Sequence, residues 1–243
     1  MANSDNITIE ARPESIGIKP AKTAVLVVDM QNDFGSIGGM VDRAGIDISP
    51  IRRVIPPTAR MLAITRQAGI TVIYLKHEHR EDLSDAGSED SPHRLKHLPM
   101  SLGETVPIPD GGEGRILIKN TWNTQILDEL EPQPQDIIVP KHRFGGFYQT
   151  DLDAILGTLG VKSLIVTGCT TSNCVESTVR EAMFRDHTCI VLEDCVAETI
   201  GPDPALNHEA ALRRLQIFGW VSTSSELEKA LGQASKNPEG RNS

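Results

Sequence analysis

Asp29, Lys141 and Cys174 carry side chains that together could open a carbonyl compound. A thiol attacks well only as its thiolate, and a carboxylate held close can take its proton. A lysine beside both would favour the ionised form of each. The pattern is Cys–Asp–Lys rather than Cys–His. Singly, each residue has a plainer explanation. An aspartate at a strand end is often a turn cap, a lysine a surface charge and a cysteine a small buried hydrophobe. Position argues for the set, because each residue closes or follows an apolar, β-branched run.

Those runs define the elements that must hold them. Ala24–Asp29 (AVLVVD) is continuously apolar, as a buried parallel strand is. Ile70–Leu75, Ile116–Lys119, Asp136–Val139, Ser163–Thr167 and Cys189–Leu192 read as further strands, the fourth of the six ended by Pro140. Pro56–Ala68, Thr124–Leu130, Thr150–Thr158, Cys174–Phe184 and Pro204–Gln216 read as helices, with Thr150 as an N-cap. Alternating strands and helices predict a three-layer, doubly wound α/β fold with a mostly parallel sheet covered on both faces. Ligands in such sheets sit at the C-terminal strand ends. In SLIVTGCTTSNCVESTVREA (163–182), Cys174 therefore falls between a strand end and a helix start. Backbone N–H groups and the helix dipole there favour a thiolate and could hold an oxyanion.

The chain has 243 residues and a net charge of −9, which suits one α/β domain and argues against a broad nucleic-acid-binding face. No apolar run approaches a membrane span. The first residues, MANSDNITIEARPES, lack the layout of a signal peptide, so a cytoplasmic location is expected. The cysteines at 169, 174, 189 and 195 then read as reduced thiols, with Cys189 and Cys195 as buried fillers. A single domain over 1–232 with a flexible tail at 233–243 is expected. Residues 77–113 are polar and broken by Gly and Pro, the mark of an irregular insert that is functional or mobile.

VVDMQNDF (27–34), VPKHRFGGF (139–147) and TGCTTSNCVESTVREA (167–182) resemble, in order, the three signatures of the isochorismatase-like cysteine hydrolases. The resemblance runs from about Ala24 to Leu231. It implies Asp29 as proton shuttle, Lys141 as third member and Cys174 as nucleophile. It also implies a cis Cys169–Thr170 peptide that aims the N–H groups of Thr170 and Cys174 at an oxyanion. Lys119, in ILIKN, also follows an apolar run. The family's lysine precedes an aromatic-glycine segment, which Lys141 has and Lys119 lacks. The implied chemistry is amide or ureido hydrolysis through a thioester, releasing ammonia, with no cofactor.

Within the family, ARPESI, DELEPQPQDIIVPKHRFGGFYQT and FGWVS resemble the ureidoacrylate amidohydrolases. HEHREDLSDA and Gln216 instead resemble the biuret hydrolases, so biuret and triuret are rival substrates. Phe34, Phe147 and Tyr148 are candidate pocket walls, and Arg143 a candidate for a substrate carboxylate or an ion pair. His77 and His79 raise a metal question, because related nicotinamidases bind a metal beside the site. Their ligand spacing is absent here, and no metal is expected. A redox switch between Cys169 and Cys174, or a silent binding scaffold, is the contrasting class of function. Relatives are commonly dimers or tetramers, so a homodimer or homotetramer is expected, with neither nucleic acid nor membrane as partner.

Overall fold

Six apolar runs become six parallel strands, five of them where the sequence predicts. The computed structural model describes residues 6–236. Its strands are β1 (Thr23–Val28), β2 (Thr71–His77), β3 (Ile137–Lys141), β4 (Ser163–Cys169), β5 (Thr188–Ala197) and β6 (Trp220–Ser222). They lie in the order β6-β5-β4-β1-β2-β3, every neighbour parallel. The chain winds outward from β1 to β3, then restarts at β4 on the other side. The crossing point is therefore between β1 and β4, where a doubly wound sheet opens its binding crevice. All residues of both central strands are buried.

Side-chain alternation sends the two faces of the sheet into two cores. Val25, Val27, Ile165 and Ile190 pack against α1 (Ser49–Gln67) and α6 (Ser224–Lys236). Ala24, Leu26, Leu164 and Val166 pack against α3 (Leu152–Thr158), α4 (Glu176–Met183) and α5 (Pro204–Phe218). A hairpin of Ile7–Ile9 with Ile16–Ile18 adds Ile7, Ile9 and Ile18 to the first core. All four cysteines are free and buried. No helix among the described residues is long and apolar enough to cross a membrane.

Several elements differ from the sequence reading. The first helix starts at Ser49, not Pro56, and runs through Pro56 and Pro57. The carbonyls these prolines leave without partners belong to Arg52 and Arg53, both exposed, where water can take them. β3 passes through Pro140 to Lys141, which is possible because β3 is an edge strand with no neighbour on its far side. Ile116–Lys119 forms no strand. Leu117 and Asn120 have φ of 54° and 63°, so the run is a buried turn. Thr124–Leu130 is not a helix but two short 3₁₀ turns. Leu127 N donates to Met30 O at 3.0 Å and Asn32 N to Gln125 O at 3.0 Å, which diverts backbone groups a helix would use.

The insert is ordered. It contains α2 (Pro92–His97) and a hairpin of Thr105–Pro107 with Glu113–Arg115, and it buries Ala86, Leu102 and Val106. The expected tail at 233–243 starts inside α6, which continues to Lys236; residues 237–243 lie outside the described residues. A lone glycine at 232 does not stop a helix already anchored by buried Leu227, Ala230 and Leu231.

Candidate active site

Asp29 follows β1, Lys141 ends β3 and Cys174 lies in the turn after β4. The three meet on the C-terminal rim of the sheet, at the crossing point. Lys141 Nζ sits 2.8 Å from Asp29 Oδ2, and neither side chain has any exposure. Lys141 Nζ also donates to Arg143 O at 3.0 Å. Asp29 sits in the left-handed region, at φ 52°, with its N–H on Leu75 O at 2.9 Å. A non-glycine residue held there by its neighbours is backbone strain at a site. A carboxylate oxygen of Asp29 and Cys174 Sγ lie within 4.8 Å of each other. The Cys169–Thr170 peptide is cis.

The turn carrying the thiol is a single wide π turn, Thr171–Val175, and α4 begins only at Glu176. Glu198 holds it from behind, accepting from Ser172 N at 2.8 Å and Ser172 Oγ at 2.5 Å. Thr171 Oγ1 meets His208 Nδ1 at 2.9 Å. Gly168 makes the approach to the turn possible. Its φ is +109°, and a Cβ there would lie 2.0 Å from Val28 O.

The electrostatics reverse one expectation. The turn geometry and Lys141 favour a thiolate, yet burial pushes the Cys174 thiol well up, with the Asp29 carboxylate adding to the rise. Burial likewise raises Asp29, against the pull of Lys141. For Lys141, burial works against the ammonium, but Asp29 and Cys174 beside it together outweigh that and hold its pKa up. Lys141 Nζ thus faces Asp29 Oδ2 at 2.8 Å beside a thiol that burial holds towards its neutral form.

The other candidate residues divide. Phe34 is buried, its ring stacked on His77 at 6.3 Å between centroids. Arg143 donates to Asp85 O at 2.8 Å and to its own neighbour's carbonyl, which straps the insert to the segment after β3. Tyr148 is exposed, beside His142 and Arg143. Phe147 is in the second core, stacked on His187 at 6.2 Å. Gln216, on α5, lines a separate surface cleft with Met183 and Trp220. Phe147 shares its core with Cys174, while Gln216 lies apart from the triad.

Several buried polar residues about the rim were not singled out. Gln31 takes His77 N at 2.7 Å and gives to His77 O and Thr124 O. Asp33 accepts from Met40 N, Leu117 N and Asn123 Nδ2. Both stand inside VVDMQNDF, where polar residues directly after a buried strand are the signal. Glu198 on one side, and His93 and His97 of α2 on the other, had none, since they reach the rim only through the fold.

The isochorismatase domain model matches residues 23–226. Ureidoacrylate amidohydrolase RutB of Rhizobium rhizogenes (strain K84 / ATCC BAA-868) is 38% identical over 231 residues, 95% of this chain and 92% of that protein. RutB of Pantoea ananatis (strain LMG 20103) is 40% identical over 225 residues, 92% of this chain and 88% of that one. The crystal structure of a cysteine hydrolase from Pseudomonas syringae pv. phaseolicola 1448A superposes with a TM-score of 0.76 at 30% identity, covering 89% of this chain and 95% of that one. That of N-carbamoylsarcosine amidase from Thermoplasma acidophilum gives 0.61 at 25% identity, covering 84% and 96%. The family match over residues 23–226 and near full-length similarity to amide-cleaving enzymes lead to one conclusion: the chain belongs to the isochorismatase family and is a hydrolase of amide C–N bonds.

Proposed function

We propose that this protein is a cysteine amidohydrolase that cleaves a small linear ureido compound, ureidoacrylate or a close analogue, and releases ammonia through a thioester. The observation that carries this is the fully buried Asp29–Lys141 pair at 2.8 Å beside the buried Cys174. The RutB relatives, named for ureidoacrylate, carry the choice of substrate class.

Asp29 takes the Cys174 proton while the sulfur attacks the ureido carbonyl. Negative charge grows on the carbonyl oxygen, where the N–H groups of Thr170 and Cys174 hold it. One such donor is worth about 2.7–4 kcal/mol of barrier. Asp29 then gives its proton to the departing nitrogen. Water, activated by the same carboxylate, clears the thioester. Lys141 keeps Asp29 charged in a dry site and returns it to the carboxylate after each proton transfer.

Biuret remains the rival, because HEHREDLSDA (77–86) resembles the biuret hydrolases. The test is ammonia release from ureidoacrylate, biuret, triuret and N-carbamoyl amino acids. Turnover of ureidoacrylate above the rest supports the reading. Preference for biuret moves the substrate, and no release from any compound overturns the hydrolase chemistry proposed.

A further inference from the structure

The turn that carries the thiol is held by a residue the proposed chemistry does not use. The sheet pairs Cys169 with Ala197, so Glu198 leaves β5 beside Thr170 and the cis peptide. Glu198 is 4% exposed, yet each of its carboxylate oxygens accepts two hydrogen bonds. Oε2 takes Ser172 N at 2.8 Å and Ser172 Oγ at 2.5 Å. Oε1 takes Thr199 N and Ile200 N, both at 3.0 Å. A buried carboxyl group is costly unless its lone pairs are filled, and here three N–H groups and a hydroxyl fill them. An amide could not take this place. It has one acceptor oxygen, so its NH₂ would face one of the two donor pairs.

The place of Ser172 in the turn gives this bridge its use. Asn173 N and Val175 N both donate to Thr170 O, at 3.1 and 3.2 Å. With Ser172 N on Glu198, these three N–H groups are committed. They lie along the chain between and beside those of Thr170 and Cys174, which the proposed mechanism aims at the oxyanion. Peptide units are planar, so fixing Ser172 constrains the planes on either side of it. The hold comes from outside the triad. Glu198 lines a surface cavity of about 730 Å³ together with His208, whose Nδ1 meets Thr171 Oγ1 at 2.9 Å, and Asp29, Lys141 and Cys174 do not line it.

We infer that Glu198 is a positioning residue for the oxyanion site: through Ser172 it holds the turn so that the N–H groups of Thr170 and Cys174 converge on the carbonyl oxygen. This rests on the oxyanion assignment in the proposed function. Donors of that kind work because they are aimed before the charge appears. The geometry also separates two effects. Cys174 Sγ has its own neighbour in the Asp29 carboxylate, within 4.8 Å. Loss of Glu198 should therefore harm oxyanion binding far more than thiol reactivity.

The test reads Cys174 of the full chain in two ways, neither needing turnover. Iodoacetamide alkylates the thiol without charging a carbonyl oxygen, and peptide mass spectrometry gives its rate at Cys174. Propionaldehyde adds reversibly. The sulfur bonds the carbonyl carbon, the thiol proton passes to Asp29, and the C=O electron pair moves to the oxygen, where an oxyanion site grips it. Protection of Cys174 from alkylation gives the aldehyde Kd. Glu198→Gln should raise that Kd roughly tenfold and Glu198→Ala about 10²-fold, while alkylation without aldehyde stays within about threefold of wild type. The kcat for ammonia release should fall in the same order with KM little changed, as for an interaction made in the transition state. Circular dichroism melts check folding, and Glu198→Gln, equal in size, carries the test alone if Glu198→Ala does not fold. An unchanged Kd in the variants, alkylation that slows as much as Kd rises, or a wild-type thiol that the aldehyde does not protect would each overturn the inference. A wild type that releases no ammonia from any compound would instead defeat the amidohydrolase reading, and the aldehyde series would still decide this one.

Discussion

At the scale of single residues, Lys141 and Asp29 are each tolerable inside the protein only because of the other. Removing one partner of a buried ion pair costs about 3–5 kcal/mol, since the survivor stays buried and unpaired. Lys141→Met should therefore lower stability by that amount in urea unfolding as well as abolish ammonia release. Cys174→Ser should cost activity by roughly 10⁴-fold or more with little change in stability. The raised Asp29 sets the acid side of the rate profile. Catalysis needs the carboxylate, so activity should fall as pH drops through the Asp29 pKa. That midpoint should lie above the ordinary carboxylate value of 3.8. A profile flat down to that value would show that Asp29 is not the base.

At the scale of elements, the turns around the rim carry the constraints. Gly168 combines a φ of +109° with a Cβ position 2.0 Å from Val28 O, so Gly168→Ala must push β1 and β4 apart. Gly157 lies within α3 with nothing within 4 Å of its Cβ position. Gly157→Ala should stabilise by about 0.4–1 kcal/mol, whereas Gly168→Ala should leave little folded protein. Thermal melts of the two variants check the contrast. Asp33 pins the segment after β1 to the 116–124 turn and is pushed up to about 6 by its burial. Its folded pKa lies above its unfolded one, so the folded state binds the extra proton. That contribution is present at low pH and is lost as pH rises from about 4 to about 6, on the order of 2–3 kcal/mol in all. Asp33→Asn should remove this slope from stability measured against pH, and an unchanged slope would contradict the assignment.

At the scale of the whole molecule, the sheet and its winding were legible because continuous apolar runs mark buried parallel strands whatever surrounds them. Asp29, Lys141 and Cys174 each close or follow such a run, but so does Lys119, and only the resemblance of VPKHRFGGF to the family's segment separates the two lysines. What escaped depends on contacts distant in sequence. Thr124–Leu130 looks helical alone but gives its backbone to Met30 and Asn32. Phe147 and Gln216 have types suited to a pocket, yet the fold turns one into a core and the other onto a surface cleft. The insert reads as irregular because its elements, a six-residue helix and a hairpin of three-residue strands, are too short to show a period in the sequence. Both cores share one sheet, so calorimetry should show a single unfolding transition, as an undivided domain requires.

The central claim is that Cys174 forms a covalent acyl intermediate, and intact-protein mass spectrometry after rapid acid quench tests it most directly. Mixed with ureidoacrylate, the wild-type protein should gain the mass of one acyl group, mapped to Cys174, at the rate at which ammonia first appears. Cys174→Ser should show neither the adduct nor the ammonia. Ammonia released at the wild-type rate by Cys174→Ser would contradict the account.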